Sequence, residues 1–202
     1  MLTIGIELNN VVRNVNRQLL KYYQKSFNPE MDIDDIDDKE DVLCKYLKFE
    51  SNKDKNNFIY IDYPFEIFGC AKAQEKDLFV KITNWLSNIE NIEDEDVRIV
   101  FYSLNEVALT VQSTFFFLSK MGARVRKVFF PKNLSEVWDE CDVVITTNTD
   151  LFENKPDGKK VILINREYNE NYKDKAFLNY NSLSEIIEDN NFFKNFEIEY
   201  EN

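Results

Sequence analysis

The 202-residue sequence contains no histidine, and that absence excludes more chemistry than any other. Without it there is no Ser-His-Asp triad, no Cys-His pair, no phosphohistidine and no His-ligated zinc. Glycine and proline are scarce, four of each, so there is no low-complexity linker and no glycine-rich phosphate loop. The three cysteines, Cys44, Cys70 and Cys141, are odd in number and widely spaced. They read as reduced thiols of an intracellular-type protein, not as a disulfide framework. No apolar run approaches the ~20 residues that a bilayer span needs. No basic segment precedes the apolar start Met1-Leu-Thr-Ile-Gly-Ile, so neither a membrane span nor a signal peptide is expected. Basic residues are the minority, 25 Lys and Arg against 37 Asp and Glu, for a net charge of -12. Phosphate backbones are held by Lys and Arg, so direct nucleic-acid binding is not expected. The expected location is the cytoplasm or a virion, without secretion.

What is present suits a folded chain. Hydrophobic residues make up 44% and aromatics 14%, with 17 Phe and 10 Tyr, enough apolar surface to outweigh the acidity and build a core. A short apolar run over residues 2–8 has strand length, and a helical pattern follows over 11–27. Between about 29 and 95 the character changes. An acidic stretch (Asp32, Asp34, Asp35, Asp37, Asp38) leads to an apolar helical segment at 42–49, a polar gap at 51–57, an aromatic strand-like piece at 58–63 and a helix at 75–88. From 97 the rhythm is regular: strand 97–102, helix 106–121 closed by Gly122, strand 124–130, short helix 134–140, strand 142–146 and strand 160–164. Strands alternating with helices predict an α/β fold, a doubly wound parallel sheet with helices on both faces. The predicted organisation is a core of residues 1–28 and 96–202, interrupted by an inserted, mainly helical cap at 29–95.

Ligands of such sheets sit outside the carboxyl ends of the strands, which singles out Glu7, Asn9 and Asn10, Ser103 and Asn105, Lys132, and Thr146, Thr147 and Asp150. Each also has a plainer reading. Glu7 reads equally as a capping or solvated strand end, and Ser103 with Asn105 as caps of the helix near Glu106. The acidic run Ile33-Asp-Asp-Ile-Asp-Asp-Lys-Glu-Asp41 lacks the Gly and the terminal Glu of an EF-hand loop and reads as a helix N-terminus with solvated carboxylates. Arg124, Arg126 and Lys127 read as an exposed strand edge or as partners for the abundant acids.

The segment Ile4-Gly-Ile-Glu-Leu-Asn-Asn-Val-Val-Arg13 resembles the first motif of the haloacid dehalogenase-like superfamily, an apolar strand followed by Asp-x-Asp. Cys141-Asp-Val-Val-Ile-Thr-Thr-Asn-Thr-Asp150, with Gly158-Lys-Lys-Val-Ile-Leu-Ile164 and Arg166-Glu-Tyr-Asn169, is similar to the late motif of its nucleotidase-like branch. The resemblance implies a Rossmann-like core over roughly 1–27 and 96–170, with Ser103 and Lys132 at the phosphate-binding positions. It also implies an Asp nucleophile, an Asp general acid/base and further Asp residues that help hold magnesium. At those places stand Glu7, Asn9 and Thr146-Thr147. Glu7 is a methylene longer than Asp, and a misplacement of about 1 Å can cost roughly 100-fold. Asn9 has no proton to give, and the threonines bring no anionic oxygen to Mg²⁺.

The expectation is therefore a catalytically inactive member of that fold, with no cofactor, serving as a structural or protein-interaction subunit of a larger assembly or as a homo-oligomer. The richness in Asn, Lys and Asp suits an AT-rich genome and extends the expectation to a bacteriophage virion component. The alternating tail Phe196, Ile198, Tyr200 is the expected interaction segment, packing on its own domain or adding a strand to a partner. The alternative is a magnesium-dependent nucleotidase or small phosphatase using Glu7. A third reading is a module that binds a nucleotide through Ser103 and Lys132 without cleaving it.

Overall fold

A computed structural model describes residues 1–90, 97–104, 106–122, 125–153 and 155–196. Six segments form strands: β1 (Leu2–Glu7), β2 (Val97–Tyr102), β3 (Val128–Phe129), β4 (Val143–Thr146), β5 (Lys160–Ile164) and β6 (Leu178–Tyr180). They make one sheet in the order β3-β2-β1-β4-β5-β6. Every neighbouring pair is parallel. Parallel strands are covered on both faces and so read as continuous apolar runs; this is why β1, β4 and β5 were legible from composition alone. The order reverses direction at β1, leaving a crevice at the carboxyl ends of β1 and β4. Glu7 and Thr146 end those two strands.

Among the described residues seven α-helices accompany the sheet: α1 (Val15–Phe27), α2 (Val42–Lys45), α3 (Asn52–Asn57), α4 (Leu78–Glu90), α5 (Ala108–Met121), α6 (Leu134–Glu140) and α7 (Leu183–Glu188). One sheet face carries Ile4, Ile6, Phe101, Val143, Ile145, Ile162 and Ile164 against α4, α5 and α7, through Leu78, Ile82, Trp85, Phe117, Met121, Leu183 and Ile186. The other carries Val100, Tyr102, Val144 and Val161 against Val137 and Trp138 of α6, with Cys141 and Leu151. Alternation along each strand sorts these two sets. Gly5 lies on the second face under Cys141, where a Cβ would stand 2.5 Å from the Cys141 Sγ.

A third cluster forms apart from the sheet. Val15, Leu19, Leu20 and Tyr23 of α1 pack with Val42, Leu47, Phe58, Ile59, Ile67 and Phe68. So α1 faces the inserted residues, while α4, near the end of the expected insertion, lies on the sheet. Apolar packing changes cluster between Val12 and Val15 and again between Phe68 and Ala71.

Several elements differ from expectation. Residues 58–63 are not a strand: Phe58–Asp62 and Phe65–Gly69 are π-helical turns. The polar gap before them is α3, capped by the Ser51 hydroxyl on the Asp54 N–H at 3.2 Å. The chain enters residue 58 already helical, and Phe58 and Ile59 are buried as neighbours, which a strand with one buried face does not allow. Val11 and Val12 precede α1 in a tight loop, where they are buried in the sheet core. Strand 124–130 is reduced to Val128–Phe129. Phe196 rests on its own chain, with its ring 5.5 Å from Phe177 and from Phe192. Ile198 and Tyr200, like Asn105 and Arg124, lie outside the described residues. Among the described residues no helix is long and apolar enough to cross a membrane.

Candidate functional site

The crevice at β1 is built by a loop that turns back on itself. The Leu8 carbonyl accepts from both the Val12 and Arg13 N–H groups, at 3.1 and 2.9 Å, and the Asn10 N–H donates to the Arg13 carbonyl at 2.8 Å. Asn10 takes a left-handed conformation, φ 58°. Its Oδ1 accepts from the Val15 and Asn16 N–H groups, both at 3.2 Å. Asn tolerates that backbone region because its short amide bonds locally. The turn drives the Arg13 side chain inward beneath its apolar neighbours.

Arg13 has no exposed surface and is among the largest buried side chains of the chain. Its five N–H donors are all used. Nε donates to Asn9 Oδ1 at 2.8 Å, and Nη1 to the Phe68 carbonyl at 3.3 Å and Thr114 Oγ1 at 2.6 Å. Nη2 donates to Ser103 Oγ at 3.1 Å and to Glu106 Oε1 at 2.5 Å. Thr114 also donates to the Glu106 carboxylate, at 2.7–2.8 Å. The Phe68 and Phe117 rings flank the guanidinium, with centroids 5.0 and 5.5 Å from Cζ. One side chain thus joins the β1 loop, the end of β2, α5 and the π-helical turn Phe65–Gly69. Burial lowers the Arg13 pKa, opposed chiefly by the Glu106 charge.

Glu7 lies beside this network with its own partners. The Thr146 hydroxyl donates to Glu7 Oε2, and the Thr147 N–H reaches the same oxygen at 3.4 Å. Burial dominates and raises the Glu7 pKa from the ordinary 4.5 to about 7, against the pull of Thr146, Thr147 and the Arg13 charge. Tyr102, its register partner on β2, is buried with its hydroxyl bonded to no protein group. Desolvation pushes that phenol well above its usual range, and the nearby Glu7 charge adds to the effect.

The fold therefore gathers Glu7, Thr146 and Thr147 into one contact and Asn9 and Ser103 into another, both centred on groups beside Arg13. Lys132 stands elsewhere: it is exposed ahead of α6, and its backbone N–H donates to Glu136 at 2.8 Å. Asp150 is exposed on a 3₁₀ turn, Thr149–Phe152. Arg13 itself and its partners Glu106 and Thr114 were not singled out from sequence. The local signal was weak: Arg13 follows Val11 and Val12 but is set among Asn9, Asn10, Asn14 and Asn16, a context that does not by itself mark a buried Arg in need of a partner.

Magnesium, which the resemblance implies, prefers several hard anionic oxygens. The crevice offers two carboxylates: Glu7, whose pKa is raised by burial, which receives a hydroxyl donor and lies near a buried cation, and Glu106, which is taken up by Arg13 and Thr114. Among the described residues no group of three or more Cys, Asp or Glu side chains could hold a metal ion. The residues present do not fit the ion.

No family model matches the chain, and no curated protein matches its sequence. A solved structure described as "Crystal Structure analysis of a Dehalogenase" aligns with 92% of this chain and 95% of its own, at 11% identity and a TM-score of 0.49.

Proposed function

We propose that this chain is a non-catalytic α/β module whose crevice serves as an internal strut, and that its role is to bind or assemble with protein. The observation that carries this reading is Arg13. Its guanidinium occupies the ground beside Ser103, where a phosphate would have to bind, and all its donors are already engaged. A phosphoryl group entering there would have to displace a buried, fully satisfied ion pair, and breaking such a pair costs roughly 3–5 kcal/mol. Glu7 adds to the case. A carboxyl group with a pKa of about 7, with one oxygen already receiving hydrogen bonds, is only partly ionised at neutral pH. Asn9 spends its carbonyl oxygen on Arg13 and has no proton to donate to a leaving group.

The assembly part of the reading rests on exposed apolar side chains. Val107, Leu109, Phe115 and Phe116 of the α5 region, with Ile61 and Phe65 of the π-helical turns, are each more than 40% exposed. The Phe65 and Phe116 rings lie 4.9 Å apart, so part of this surface is continuous, and contiguous exposed apolar patches mark interaction surfaces.

The test is a phosphatase assay with Mg²⁺ on nucleoside monophosphates, using the purified chain and Glu7→Gln in parallel. No turnover above the buffer rate is expected from either. Turnover by the native chain that disappears in Glu7→Gln would overturn the proposal in favour of a nucleotidase.

A further inference from the structure

A second polar centre lies at the carboxyl ends of β5 and β6, away from Arg13. Arg166 is 5% exposed, and its guanidinium is held by backbone carbonyls alone. Nη1 donates to the Asn165 and Asn181 carbonyls at 2.8 and 3.3 Å, and Nη2 to the Asn10 carbonyl at 2.8 Å. No carboxylate among the described residues forms an ion pair with it; the acidic groups within electrostatic reach are the Tyr168 phenol, Asp38, Glu75 and Asp37. Arg13 has its carboxylate and Arg166 does not. A buried charge without an opposite partner is costly to maintain.

Arg166 lines a cleft of about 400 Å³ between residues 37–40 of the inserted region and the segment after β5. That volume suits a small molecule. Asp37 and Glu170 stand on its rim together with Lys39 and Lys173, Lys173 pairing with Glu170 at 3.2 Å, and Asn165 on its wall keeps a buried Oδ1 without a hydrogen-bond partner. Both walls are tied in place. Lys45 bridges Glu40 on one side and Glu167 on the other, at 3.0 and 2.7 Å. Asn16 Nδ2 holds the Asp38 carbonyl at 2.7 Å, so the cleft does not depend on a ligand to form.

We infer that this cleft binds a small zwitterion, with an oxyanion on Arg166 and an ammonium group facing Asp37 and Glu170. The oxyanion answers the buried cation that has no carboxylate. The ammonium group follows from the lining, where four carboxylates (Asp37, Glu40, Glu167 and Glu170) outnumber two lysines (Lys39 and Lys173), and from the chain's net charge of -12, which disfavours a purely anionic ligand. Amino acids and aminoalkyl phosphates both have this chemistry. The inference is independent of whether the Glu7 crevice is catalytic.

The experiment is calorimetric titration of the full chain with L-alanine and with phosphoethanolamine, which separate a carboxylate from a phosphate source. Acetate, inorganic phosphate and ethylamine serve as half-ligands. One zwitterion is expected to bind at least about tenfold more tightly than either of its halves. The surface variant Asp37→Asn/Glu170→Gln is expected to weaken that binding by about tenfold. Its circular dichroism should remain native, since both acids are exposed. Arg166→Lys, which keeps the charge but loses the planar fork, should weaken it as well. The inference is overturned if neither zwitterion binds below roughly 10 mM, if a half-ligand binds as tightly, or if the rim variant binds unchanged.

Discussion

Glu7→Gln is the perturbation that reads the crevice most directly. Burial raises the Glu7 carboxyl from 4.5 to about 7, so the folded state favours its protonated form while the unfolded chain ionises near 4.5. Stability from this group is then fully present below pH 4.5. It declines as pH rises through the interval and is gone above about 7, because the folded protein must ionise a buried carboxyl to follow the unfolded one. At ~1.4 kcal/mol per pKa unit, the whole interval amounts to ~3 kcal/mol. Gln keeps the carbonyl oxygen that receives the Thr146 hydroxyl and the Thr147 N–H but does not titrate. Urea denaturation of both proteins near pH 5 and near pH 8 isolates the group, because every other titration is common to the pair. The stability of the variant relative to the native chain should increase by about 2–3 kcal/mol from the lower pH to the higher. Parallel profiles, agreeing within ~0.5 kcal/mol, would refute the claim that Glu7 is held in a desolvated crevice.

Arg13→Met should destabilise the fold by ~3–5 kcal/mol, since it leaves the Glu106 carboxylate buried and unpaired. The double variant Arg13→Met/Glu106→Leu should recover a large part of that loss in the same denaturation assay. A double variant no better than the single would mean that the strut acts through packing alone. Gly5→Ala should cost ~1–3 kcal/mol, because its Cβ would meet Cys141 Sγ at 2.5 Å, an overpacking that the central strand cannot move away from. Cys141→Ala in the same chain removes the clashing atom, so the two substitutions together should cost less than their sum, whereas additive melting shifts would contradict the contact.

The strands of the sheet centre were legible because parallel strands buried on both faces must be apolar throughout. Residues 2–7, 97–102, 143–146 and 160–164 leave little choice of state. The π-helical turns were not legible, since two adjacent buried aromatics or aliphatics, Phe58 and Ile59, have the composition of a strand. Only their packing against α1 distinguishes them. In the site, strand-end position named Glu7, Ser103 and Thr146, and the fold sets Thr146 on Glu7 and Ser103 on the adjacent Arg13. Strand-end position could not mark Glu106 or Thr114, which come from a loop and a helix more than 90 residues beyond Arg13.

The class of fold and the absence of histidine chemistry were both readable along the chain. These follow from residue identity and from the period of apolar residues, both local properties. How the crevice at β1 is filled was settled by long-range packing. A long cationic side chain, Arg13, folds in from the β1 loop to a carboxylate brought by the β2–α5 connection, and Glu7 becomes a largely desolvated acid beside them. A second arginine, Arg166, is buried the same way without a carboxylate. Burial and charge pairing are set by chain segments distant in sequence, so no reading of neighbours along the chain distinguishes the paired arginine from the unpaired one.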